Sequence, residues 1–117
     1  MKLEVGMYVR TKEGEIGKVI PNGMIEFPKD YAKIEYLIIG GEITKASHNI
    51  IDLIEVGDYV NGYKVLFAGA ITWDNDGNVL EKRVHINQNG RDIWLMGKYI
   101  KSIVTKEQFE SMAYKVV

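Results

Sequence analysis

The sequence contains no cysteine. That excludes disulfide staples, thiol chemistry and thiolate zinc sites, and it suits a reducing compartment, so the cytoplasm of a bacterial cell is the expected location. At 117 residues the chain is long enough to bury a core without staples. Histidine is almost as scarce: His48 and His85 have no partner at metal-ligand spacing, so no metal and no cofactor is expected. Long apolar runs are missing too. The longest, Tyr36-Leu37-Ile38-Ile39 and Val65-Leu66-Phe67-Ala68, fall far short of the roughly 20 residues that span a bilayer. The opening Met1-Lys2-Leu3-Glu4-Val5-Gly6 lacks the apolar core of a signal peptide. Charge of one sign is lacking as well, with 15 Lys and Arg against 16 Asp and Glu, so no global field draws in nucleic acid or anionic lipid.

What the chain does have is glycine, aromatics and a repeat. Twelve Gly against two Pro, with seven Tyr, three Phe and two Trp, indicate a turn-rich β protein. Leu3-Glu4-Val5-Gly6-Met7-Tyr8-Val9 matches Ile54-Glu55-Val56-Gly57-Asp58-Tyr59-Val60 at five of seven positions, 51 residues apart. A weaker echo sets Gly41 to Ser47 against Gly97 to Ile103. The expected architecture is therefore a mainly β tandem repeat, with one module over 1–53 and a second over 54–117.

Each repeated phrase reads as a glycine turn followed by a Tyr-Val strand. In the first half, Tyr8 to Thr11 and Ile16 to Ile20 flank a turn signal and predict a hairpin. Met24 to Phe27 is a third strand and Tyr36 to Ile39 a fourth. Ser47 or Asn49 is placed to cap a short helical turn with Ile50, Leu53 and Ile54 on one face. In the second half, Asn61-Gly62 signals a tight hairpin between Tyr59-Val60 and the strand from Tyr63. Ile71 to Trp73 and Val79 to Ile86 make another hairpin, and Asn87 to Gly90 turns into Asp92 to Met96. Thr105-Lys106-Glu107-Gln108 has capping-box spacing, predicting a helix from about Lys106 to Tyr114 with Phe109 and Met112 facing inward.

Val5, Gly6 and Val9, followed by Gly14, Ile16, Gly17 and Val19, resemble the opening of SH3-like small barrels and KOW-type modules. The second half keeps Val56, Gly57, Val60 and Gly62 but lacks the later Gly-x-Ile-Gly. The resemblance implies two SH3-like barrel or sheet halves. Three segments (Val5 to Thr11, Ile43 to Gly62 and Ile100 to Glu110) also resemble uncharacterised small proteins of prophages and mobile elements of Gram-positive bacteria. That resemblance implies a genetic setting in which small proteins often bind a host, phage or defence protein, an anti-CRISPR-like role included.

No pattern of catalysis emerges. Ser47, His48 and Asp52 could be written as a triad, but adjacent Ser and His side chains diverge, and capping explains Ser47. Asp74-Asn75-Asp76-Gly77 has the turn of a calcium loop, yet its twelfth position would be Arg83 where a bidentate Glu is required. A hairpin turn is expected there. The remaining candidate is a binding surface in the second half, where Lys82, Arg83, His85, Arg91, Lys98 and Lys101 interleave with Trp73, Trp94 and Tyr99. The expected function is a non-catalytic binding module for a protein partner, engaged through a strand edge or these aromatics. The alternative is an SH3-like nucleic-acid binder, in which aromatics stack bases and cations neutralise the backbone.

Overall fold

A computed structural model describes residues 2–73 and 75–112, leaving the side chains of residues 70–73 and 79–81 outside the description. The chain divides into two compact units, Met1–Leu53 and Ile54–Val117. Unit 1 contains β1 (Tyr8–Thr11), β2 (Ile16–Ile20), β3 (Met24–Glu26), β4 (Tyr31–Lys33), helix α1 (Ile34–Ile39), β5 (Ile43–Ser47) and a 3-10 turn at Ile50–Leu53. Unit 2 contains β6 (Tyr59–Val60), β7 (Tyr63–Trp73), β8 (Val79–Gln88), β9 (Arg91–Met96), a 3-10 turn at Gly97–Tyr99, β10 (Ile103–Val104) and helix α2 (Lys106–Met112).

Each unit holds one antiparallel five-stranded sheet, ordered β4-β3-β2-β1-β5 in unit 1 and β10-β6-β7-β8-β9 in unit 2. Numbered within its own unit, the order is the same in both. Neither sheet closes into a barrel: among the described residues the outermost strands of each have one neighbour only. The protein is mainly β, in two open sheets.

The repeated phrase folds the same way twice. Met7 N donates to Glu4 O and Asp58 N to Glu55 O, so each copy makes a four-residue turn. Gly6 and Gly57 sit third in those turns at φ 92° and 95°, a left-handed conformation that a side chain disfavours. Each glycine N–H then donates to the second strand of its sheet, to Val19 O and Val65 O. The weaker echo is one residue out of step. Tyr8 pairs with Ser47 and Tyr59 with Val104, so Ser47 corresponds to Val104 and not to Ile103. A one-residue slip would reverse which face each side chain occupies.

In unit 1, Val9, Val19, Ile25 and Phe27 form the buried core, with Leu3, Met7, Ala32, Ile34, Leu37, Ile43 and Ala46 packed around it. Gly17 admits that packing, since a Cβ there would meet Ile25 Cγ2 at 2.7 Å and the Phe27 ring at 2.8 Å. Tyr36 to Ile39, expected as a strand, is instead the end of helix α1. Ile34 and Leu37 turn inward at a spacing of three while Tyr36, Ile38 and Ile39 stay exposed, so the burial period is helical. Gly40-Gly41 then closes the helix: Gly41 N donates to Ile38 O and Glu42 N to Leu37 O, a Schellman arrangement with Gly41 at φ 63°.

At the end of unit 1, Ser47 Oγ donates to Asp52 Oδ2 at 2.5 Å and accepts from Asn49 N, while Asn49 Oδ1 accepts from Ile51 N. The 3-10 turn buries Ile51 and Leu53, whereas Ile50, expected on the buried face, is only partly covered. Arg10 is buried and donates from Nη1 to Leu53 O at 2.9 Å.

In unit 2 the tight hairpin forms at Asn61-Gly62, with Asn61 at φ 52°. The Asn61 side chain also fastens the closing segment, accepting from Lys101 N and Ser102 N and donating to Tyr99 O. The capping box forms as spaced: Thr105 Oγ1 accepts from Gln108 N, and Gln108 Oε1 accepts from Thr105 N. Helix α2 is described to Met112, and residues 113 and 114 lie outside the described residues. Phe109 turns toward the sheet, and Met112 does not. Met112 is exposed, and Phe109, half-exposed, lies on the ring of Tyr59 at 4.5 Å between centroids. The helix docks by its first turn, with no buried apolar stripe.

Candidate functional site

The sheet of unit 2 is built around a long hairpin, β7 with β8, extended by β9. Register assigns its two faces. Val65 pairs with Ile86, Val84 with Leu95 and Ile86 with Ile93, and Val65, Val84 and Ile86 are fully buried, so these pairs define the core face. Arg83 pairs with Met96, His85 with Trp94 and Asn87 with Asp92 on the opposite face.

Phe67 reaches that opposite face through an irregularity. Strict alternation along β7 would put it on the core face with Val65, two residues earlier. The register shifts between Val65 and Phe67, leaving Leu66 as the extra residue, and Phe67 pairs with His85. A bulge thus re-aims one aromatic side chain. A second shift follows at Gly69, between Ala68 and Ala70, where φ is 87°.

The product is a row of rings across three strands. His85 stacks on Trp94 at 4.4 Å between centroids and 12° between planes, and Phe67 meets Trp94 edge-on at 6.2 Å. Trp94 is 45% exposed and Phe67 51%, whereas the His85 side chain is 18% exposed beneath them. His85 Nε2 is 3.1 Å from Asp92 Oδ1. This ring nitrogen is buried and makes no hydrogen bond. Asp92 also lies 3.4 Å from Asn87 Nδ2.

Of the residues expected at a site, Arg83, His85 and Trp94 share this face. Lys82 and Arg91 fall on the other face by alternation, Arg91 at the hairpin end opposite Gln88. Lys98, Tyr99 and Lys101 belong to the connection between β9 and β10, where Lys98 Nζ sits 5.2 Å over the Tyr99 ring. The side chain of Trp73 lies outside the described residues. Lys82 and Arg91 therefore stand apart from Arg83, His85 and Trp94, although they alternate with them in sequence. Phe67, which the sequence reading left out, takes its place because of the bulge.

Among the described residues no group of three or more His, Asp or Glu could hold a metal ion, and no helix is long and apolar enough to cross a membrane. No protein-family description, curated protein or solved structure matches the chain.

Proposed function

We propose that the chain is a non-catalytic binding module, made of two copies of one SH3-like unit open as sheets, that holds an extended segment of a protein partner on unit 2. The mobile-element setting resembled by the sequence makes that partner a host or phage protein. The shared strand order and the twice-made turn support the common unit.

One observation carries the binding site: β9 is an edge strand of six residues beside an exposed aromatic row. Edge strands are normally shielded by charge, proline or brevity. In β9 the charges are confined to Arg91 and Asp92, and Ile93-Trp94-Leu95-Met96 continues uncharged with no described strand on its outer side. An incoming strand would satisfy the outward N–H and C=O groups of β9, while Trp94 and Phe67 supply apolar contact. Nucleic acid is less favoured, because Lys82 and Arg91 fall on the other face of the sheet while the acidic Asp92 shares this one with Arg83 and His85.

The test is affinity capture from the native host with wild-type protein and with Phe67→Ala/Trp94→Ala, beside an oligonucleotide titration at two salt concentrations. A specific protein retained by wild type and lost by the double variant is expected. Recovery of the same proteins by both, or of none, overturns the reading, and salt-dependent oligonucleotide binding transfers it to nucleic acid.

A further inference from the structure

The two copies of the repeat differ in what lies over their shared tyrosine. Tyr59 pairs with Lys64 on one side and Val104 on the other, and Tyr8 pairs with Lys18 and Ser47 in the same positions. Beyond Val104 the chain enters helix α2 and lays Phe109 on Tyr59, with the ring planes 23° apart. Beyond Ser47 the chain makes only the 3-10 turn at Ile50–Leu53, which contains no aromatic residue.

In unit 1 the tyrosine instead lines an open cleft of about 420 Å³ with Ile16, Lys18, Pro28, Tyr31 and Ile50. That volume lies within the range of roughly 300–1,000 Å³ common to pockets that enclose a ligand group. Lys18 Nζ stands 5.5 Å from the centre of the Tyr8 ring. At the rim Lys18 and Lys29 are balanced by Glu26 and Asp30, so charge selects neither an anion nor a cation.

We propose that the Tyr8 cleft is a second binding site, and that it takes an aromatic side chain presented by a protein partner, in the role that Phe109 plays on Tyr59. The occupant is identified by the molecule's own second copy: the same tyrosine, between the same strand neighbours, is covered there by a phenyl ring. An offset or edge-on ring also suits a cleft walled by two tyrosines and a proline. This site is separate from the aromatic row of unit 2 and stands or falls independently of it.

An NMR titration of the full chain with N-acetyl-tryptophanamide and N-acetyl-phenylalaninamide tests the proposal, with N-acetyl-leucinamide as comparator. Saturable shifts centred on Tyr8, Ile16 and Ile50 are expected from the aromatic amides, at least fivefold tighter than from the leucine amide. Tyr31→Ala, an exposed position, should weaken them several-fold, and Ile50→Phe, which fills the cleft from within, should abolish them. Trp94→Ala should leave them unchanged. Absence of saturable shifts in the cleft, equal response to the leucine amide, or indifference to both cleft variants in folded protein would overturn the site.

Discussion

Asp58 stands where the two copies of the repeated phrase differ most in chemistry, and replacing it should loosen unit 2 more than any other single change to that phrase. Its side chain is completely buried. Oδ2 accepts from Glu55 N at 2.8 Å and Oδ1 from Lys106 N at 2.9 Å, so one carboxylate closes the turn and caps the first turn of α2. Met7 holds the corresponding place in unit 1, where its sulfur accepts from Glu4 N at 3.4 Å, a far weaker contact. Hydrogen bonds to a charged group are worth about 1.5–3 kcal/mol each. Asp58→Ala loses both and should cost about 3 kcal/mol, while Asp58→Asn keeps one accepting oxygen and should cost about half as much. A urea slope of about 1.5 kcal/mol per M makes the alanine change a fall of about 2 M in the midpoint. Local exchange is the more direct assay. A helix of seven residues is too short to persist by itself, so the Phe109 amide, which donates to Thr105 O, should lose about a hundredfold protection. Unchanged protection at Phe109, together with a stability within about 0.5 kcal/mol of wild type, would refute the reasoning.

Gly17→Ala should destabilise the protein by about 1–3 kcal/mol in thermal melts, because its new methyl group collides with Ile25 and Phe27. Asn61→Ala removes three side-chain hydrogen bonds and should cost about 2 kcal/mol by urea titration; Asn61→Gly, which keeps the backbone freedom, isolates the share of those bonds. Arg10→Leu leaves the Leu53 carbonyl without this donor and should cost about 1–3 kcal/mol by the same titration. Phe67→Ala and Trp94→Ala should each alter stability by only about 1 kcal/mol, as befits half-exposed rings, while both remove partner capture.

Legibility in the sequence followed the range of the interactions. Local chemistry was readable: Asn61-Gly62 sets a hairpin through backbone conformation, Thr105 and Gln108 cap a helix through adjacent groups, and the repeated Glu-Val-Gly-x-Tyr-Val makes the same turn twice. Where tertiary packing decides, the reading failed. Tyr36 to Ile39 has strand-like composition, but Ile34 and Leu37 cover the core only if the segment coils. The site shows the same division. Arg83, His85 and Trp94 stand on one face because β8 and β9 alternate regularly, a period visible in the residues themselves. Phe67 joins them through a bulge at Leu66 that no residue type in Val65-Leu66-Phe67-Ala68 announces. Asp58 carried no motif either, since its second partner, Lys106, is 48 residues away.

The strand order has a consequence for the order of synthesis. In each sheet the first strand is flanked by the second and the fifth, so its pairing is complete only when the last strand has been made. The outer edge of β1 stays bare until Ser47 joins the nascent chain, and that of β6 until Val104 does. For the intervening residues each growing sheet exposes one strand edge that the finished molecule covers. A chaperone, or a second nascent chain carrying the same repeat, would meet that edge first.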